Sequence, residues 1–79
     1  MTGTGRWTTA HSARDLGAFA RQVRRRRGLS QAALADELGV TRQYVSEVES
    51  GVENLYITRL FEIFDELGVE VRLAERGDA

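Results

Sequence analysis

Seventy-nine residues without a single cysteine can bury only one modest core and cannot brace it with disulfides or thiolate metal sites, so self-association is an expected source of stability. No apolar run approaches the roughly 20 residues that span a bilayer, and no apolar signal segment follows the N-terminus, so a soluble cytoplasmic protein is expected. The formal net charge of −1 conceals a split: residues 1–30 hold seven of the eleven arginines against Asp15 alone, whereas residues 31–79 are acidic, a polarity that suits a polyanionic partner.

Residues 1–11 are rich in Thr and Gly, lack periodicity and read as a tail. Within it Trp7 either folds back onto the domain, pairs as a short extended segment, or reaches out to a nucleic acid; His11 reads as a solvated flank residue. A first helix starts at Ser12, which with Asp15 fits a capping box, and Leu16, Phe19, Ala20 and Val23 recur at i, i+3, i+4 and i+7 as its inward stripe. Arg24 to Arg27 fill its last turn, where cations suit the helix dipole, and Gly28 ends it. Ser30 caps a second helix that begins at Gln31, buries Leu34, Ala35 and Leu38, and stops at Gly39.

After the short turn Gly39-Val40-Thr41, Thr41 caps a third helix with Val45 and Val48 facing inward and Gly51 at its end. A fourth helix runs from about Tyr56 to Leu67, with Ile57, Leu60, Ile63, Phe64 and Leu67 on one stripe and Gly68 closing it. The period then changes. Val69-Glu70-Val71-Arg72-Leu73 alternates apolar and charged residues, as a half-buried strand does. A lone strand leaves its backbone unpaired, so its partner is either the segment around Trp7 or a second copy of the chain. Residues 75–79 read as a polar tail.

Residues 31–50 are therefore two short helices joined by a tight turn, the arrangement of a helix-turn-helix. Ala35 sits where the two helices cross closely, Gly39 where a turn needs the left-handed region, and Val40, Val45 and Val48 are β-branched fillers of the core. The stretch LGAFARQVRRRRGLSQAALADELGVTRQYVSEVESG resembles the lambda-repressor-like, or XRE-type, helix-turn-helix family, and the likeness extends over residues 15–68. It implies an all-α bundle of four to five helices, a third helix placed in the major groove, and dimeric binding to double-stranded DNA at a palindromic operator. One departure lies before the last helix, where Leu55 and Tyr56 stand in place of the usual proline and Ser or Thr cap.

A narrower resemblance is carried by Ser12-Ala-Arg-Asp-Leu-Gly and by Leu60-Phe-Glu-Ile-Phe-Asp-Glu-Leu-Gly-Val-Glu-Val-Arg-Leu, which look like HipB-type antitoxins of type II toxin-antitoxin systems. It implies a short C-terminal β-strand pairing across a homodimer, repression of the chain's own operon, and a HipA-like kinase toxin as partner. On that reading residues 12–68 are the DNA-binding domain and 69–74 the dimerisation strand, with Val69, Val71, Leu73 and the surplus apolar Phe61 as dimer contacts.

On the third helix, 100° per residue sets Arg42, Gln43, Ser46 and Glu47 opposite Val45 and Val48, and the first residues of a recognition helix are those that reach base edges. Arginine pairs bidentately with guanine and glutamine with adenine, which puts Arg42 and Gln43 first. Glu47 either accepts from a cytosine amine or pairs with Arg42 or Arg26. Gln31, at the start of the second helix, lies where free amides meet a phosphate and matches a family position that contacts DNA. Thr41, Ser50, Arg26 and Arg27 are further phosphate candidates; Tyr44 is another, or else packs on the arginines of the first helix. An enzyme is not expected: the lone histidine is on a flank and lysine is absent, and no cofactor or metal site is expected either. The alternatives are a stand-alone XRE-family or phage-type regulator, and a pure protein-interaction module. A nucleoid-associated location follows from the DNA-binding reading.

Overall fold

Two short strands and four helices make up the computed structural model, which describes residues 7–76: β1 (Trp7–Ala10), α1 (Ala13–Arg26), α2 (Gln31–Leu38), α3 (Arg42–Ser50), α4 (Leu55–Leu67) and β2 (Val71–Ala74). Each helix starts where a side-chain oxygen takes up an orphan backbone amide. Ser12 accepts from the Asp15 amide at 3.3 Å, and the Asp15 carboxylate reaches back to the His11 amide at 2.7 Å. Ser30 accepts from Ala33 and Thr41 from Tyr44, each at 3.0 Å. The fourth cap is Asn54, which accepts from Ile57 at 3.2 Å and starts α4 at Leu55, one residue before the predicted start. An asparagine therefore does what the usual Ser or Thr does two positions later in the family pattern.

The helices also end alike. At the end of α2, Gly39 takes φ 71° and the Val40 amide donates to the Ala35 carbonyl at 3.0 Å, closing the turn that leads to α3. Leu29, Val52 and Val69 make the same return to Arg24, Glu47 and Phe64 at 3.1, 3.2 and 2.8 Å. Glycine matters for a different reason at Gly17, inside α1. A Cβ there would overlap the Val48 carbonyl and lie 2.7 Å from the Glu49 carbonyl, so the backbones of α1 and α3 meet without a side chain between them. Ala35 is buried where α2 lies against α3.

Residues 7–10, expected within a tail, form β1; residues 1–6 of that tail and 77–79 of the C-terminal one lie outside the described residues. Of the two partners open to the C-terminal strand, the chain supplies its own. β1 and β2 pair antiparallel with Trp7 opposite Ala74 and Ala10 opposite Val71, and the strand begins at Val71 rather than Val69. The Arg72 guanidinium lies 4.3 Å over the Trp7 ring, and the Thr9 hydroxyl donates to Glu70 at 3.1 Å.

The core is thin. Ala10, Ala35, Val45 and Phe61 are its buried apolar residues, and no side chain of the described residues is fully enclosed. Ala20, Leu38, Val40 and Val48, expected to face inward, are exposed, as are Ile63 and Leu67 on the α4 stripe. These departures have one cause. Phe61 and Phe64, edge to face at 6.3 Å, line a cavity with Ala10, Val69 and Val71 beside the two-stranded sheet, and α4 packs closely against none of the other helices. The inward faces of α1, α2 and α3 consequently run out beyond what their own chain covers. No helix of the described residues is long and apolar enough to cross a membrane.

Gly17→Ala is expected to destabilise the protein by about 3 kcal/mol in denaturant titrations, although alanine is the better helix former, because α1 must move off α3. A cost near zero would show that the two helices separate freely.

Candidate nucleic-acid interface

An acid at position 49 falls four residues after the buried Val45, on the inward stripe of α3, and a buried carboxylate needs a partner. Arg24 provides it. Its Nε donates to Glu49 Oε2 at 2.5 Å and its Nη2 to Oε1 at 3.0 Å, while Nη1 donates to the Leu29 carbonyl at 2.7 Å. Both side chains are buried. Gln31 adds a third bond, its Nε2 donating to Glu49 Oε1 at 3.1 Å. The hydrogen bonds from Arg24 hold the Glu49 carboxyl below the usual carboxylate range, against the opposing pull of burial, and Glu49 raises the Arg24 guanidinium in return. One ion pair thus fixes the end of α1, the start of α2 and the inward side of α3 to one another.

Beside this pair opens a cleft lined by Arg21, Arg25, Ser30, Gln31 and Arg42, with Arg24 at its back. Arg14, Arg21 and Arg25 line a neighbouring groove along α1. Their spacing, i, i+7 and i+11, sets them on one face of the helix. None of Arg14, Arg21, Arg25 or Arg42 forms an ion pair with a described carboxylate. Cationic side chains, the free amides at the start of α2 and the first residue of α3 therefore converge on one concave strip. That combination attracts a phosphate backbone.

On α3, Arg42, Gln43 and Glu47 are exposed, whereas Ser46 is half-buried. Gln43 Nε2 donates to Glu47 at 3.2 Å, so Glu47 pairs with neither Arg42 nor Arg26 among the described contacts. The Thr41 oxygen serves as the helix cap, and the exposed Ser50 hydroxyl donates to the Glu47 carbonyl at 3.2 Å. Tyr44 is exposed rather than packed on α1.

The arginine run divides in a way its sequence did not reveal. Arg24 is internal, and Arg26 and Arg27, expected on phosphate, both close on Glu75 at 2.9 and 2.8 Å, just after β2. Their hydrogen bonds hold the Glu75 carboxyl low. Arg26 and Arg27 stay exposed while so paired, and Arg21 and Arg25 are exposed without a carboxylate partner among the described residues. Phe61, expected at a dimer contact, is buried by its own chain; Val71 and Leu73 are half-buried beside β1, and Val69 is exposed.

A helix-turn-helix family model matches residues 21–73, most of the chain and all of the cleft except Arg14 of the adjoining groove. The chain belongs to the XRE-type helix-turn-helix family. This is a family of DNA-binding proteins rather than enzymes, and the matched span contains α2 and α3. Among curated proteins, the HTH-type transcriptional regulator RamB of two Mycobacterium tuberculosis strains, CDC 1551 / Oshkosh and ATCC 25618 / H37Rv, is 38% identical over 55 residues. The match takes in 70% of this chain but only 12% of each relative, so the chain spans a small part of their length. No solved structure matches the chain.

Replacing Glu49 by Gln leaves Arg24 buried without a counter-charge, and Tm should fall by on the order of 10 °C or more. Because the Glu49 carboxyl is depressed in the folded state, its contribution is complete above the ordinary carboxylate value of about 4.3 and is lost as pH falls through the folded value. Thermal melts of Glu49→Gln should therefore lose much of the wild-type decline below about pH 4.3; an unchanged acid limb would remove Glu49 as its source.

Proposed function

We propose that the protein is a sequence-specific transcriptional repressor that seats α3 in the major groove of an operator and acts as a homodimer. The carrying observation is the arginine-lined cleft that joins the start of α2 to the first residue of α3 without an opposing surface carboxylate. In this reading Arg21, Arg25 and Gln31 hold the phosphate backbone, with Thr41, Tyr44 and Ser50 as further backbone contacts. Arg42 and Gln43 choose the bases, supported by Ser46. Glu47, already bonded to Gln43, orients that amide toward an adenine edge or accepts from a neighbouring cytosine. The RamB relatives, named as transcriptional regulators, support a regulatory role.

Within that reading, the antitoxin of a type II toxin-antitoxin operon, autorepressing and bound by a HipA-like kinase, is the narrower proposal. Its support is the sequence likeness at both ends of the domain, including the segment that forms the end of α4 and β2. A stand-alone regulator is the second reading, favoured by the names of the matched relatives. The adjacent reading frame separates them: a kinase-like frame whose product co-purifies with the chain supports the antitoxin, and an unrelated frame with no co-purifying kinase leaves the regulator.

Arg42→Ala should relax preference at one base pair, at a cost of about 1–3 kcal/mol on the preferred operator. Arg25→Ala should weaken all duplexes alike and reduce the slope of log affinity against log salt by about 1. Competition binding across a salt series distinguishes the two, and identical behaviour of the variants would overturn the division of roles. Protected half-sites should lie about 10 base pairs, or a multiple, apart.

A further inference from the structure

Two sets of exposed apolar residues stand on helical faces, apart from the exposed Trp7, Val40, Tyr44, Leu55 and Val69. One continues the inward faces of the first three helices: Leu38 shares a face of α2 with the buried Ala35, and Val48 lies one turn beyond the buried Val45 on α3, with Val52 following the turn at Gly51. Ala20, between Gly17 and Arg24 on the same side of α1, is exposed with them. The other set is a stripe on α4, where Tyr56, Ile63 and Leu67 stand at i, i+7 and i+11, beside the face that carries Phe61 and Phe64.

The six larger residues of these sets are between 47% and 77% exposed. Counted as the two halves of one reciprocal contact, they present roughly 700 Å², close to the roughly 800 Å² per partner of a stable interface. The sets differ in shape, one a floor on three helices and the other a ridge on a single helix. Beside the ridge Arg59 and Glu62 pair at 2.8 Å, each offsetting the other's charge. A chain whose own core encloses no side chain fully has strong reason to cover both.

We infer that two copies of this chain cover these surfaces reciprocally: α4 of each copy seats its Tyr56–Ile63–Leu67 ridge on the Leu38–Val48–Val52 floor of the other. This deepens the homodimer of the proposed repressor and moves its main contact from β2, which is paired within its own chain, to α4. Two copies exchanging helices in this way make an isologous contact that closes on itself.

The absence of cysteine makes the test direct. In the double variant Leu38→Cys/Ile63→Cys, mild oxidation should link two chains into a covalent dimer on a non-reducing gel. Light scattering after size exclusion should give a dimer for the unmodified chain and a monomer of unchanged helicity for Ile63→Glu. A disulfide that closes within one chain would show that α4 folds onto its own floor and would overturn the inference, as would a monomeric unmodified chain at micromolar concentration. If Ile63→Glu fails to fold, the oxidation result decides. Duplex binding is measured separately: a monomer that still binds DNA with a salt-dependent affinity sinks the exchange and the homodimer but spares the DNA-binding reading, whereas a helix-exchanged dimer indifferent to duplex sinks the DNA-binding reading and spares the exchange.

Discussion

The Arg24–Glu49 ion pair is the constraint on which the arrangement of the first three helices depends. Such a pair is not a large net source of stability, because both charges give up their water. Its effect is on geometry. Arg24 is satisfied only if Glu49 and the Leu29 carbonyl are both within reach, and Glu49 only if Gln31 also turns toward it. These requirements fix how far α1 slides along α3, as does Gly17, whose missing side chain lets the two backbones meet. The distance from the arginines of α1 to the first residue of α3 follows from that sliding position, and with it the span over which one molecule could hold a backbone and read a groove.

The same pair explains why a chain of slightly negative net charge can present a cationic strip. Carboxylates are used selectively within the fold. Glu49 takes Arg24 out of the surface, and Glu75 draws Arg26 and Arg27 toward the two-stranded sheet. What remains on α1 without a carboxylate partner among the described residues is one side of the helix, Arg14, Arg21 and Arg25, continuous with Arg42. Local charge is thus set by which arginines the fold consumes, and the composition of the whole chain says little about it.

Much of the helical layout was legible in the residues, because caps and stops are local chemistry. Ser12, Ser30 and Thr41 announce their helices, and Gly28, Gly39, Gly51 and Gly68 end them. Asn54 went unread because the expectation looked for a cap at Tyr56. The arginine run could not be parsed, since four adjacent cations look alike until distant Glu49 and Glu75 choose among them. Gly17 carried a signal, a costly glycine inside an amphipathic helix, that points to close packing. Helical periodicity identified Leu38, Val48, Ile63 and Leu67 as apolar faces, but period alone cannot say what covers a face. The short strand β1 had no alternation to mark it, and only its pairing with residues 60 or more positions away defines it.

That pairing has a mechanical side. Trp7 and Ala74 are register partners, so the polypeptide enters and leaves the domain at one corner. A load applied to residues 7 and 74 would part the strands like a zipper, one bond after another, rather than shear them together. The two-stranded sheet is therefore the element that yields first when the two ends are drawn apart, and the four helices between its strands are shielded from that pull.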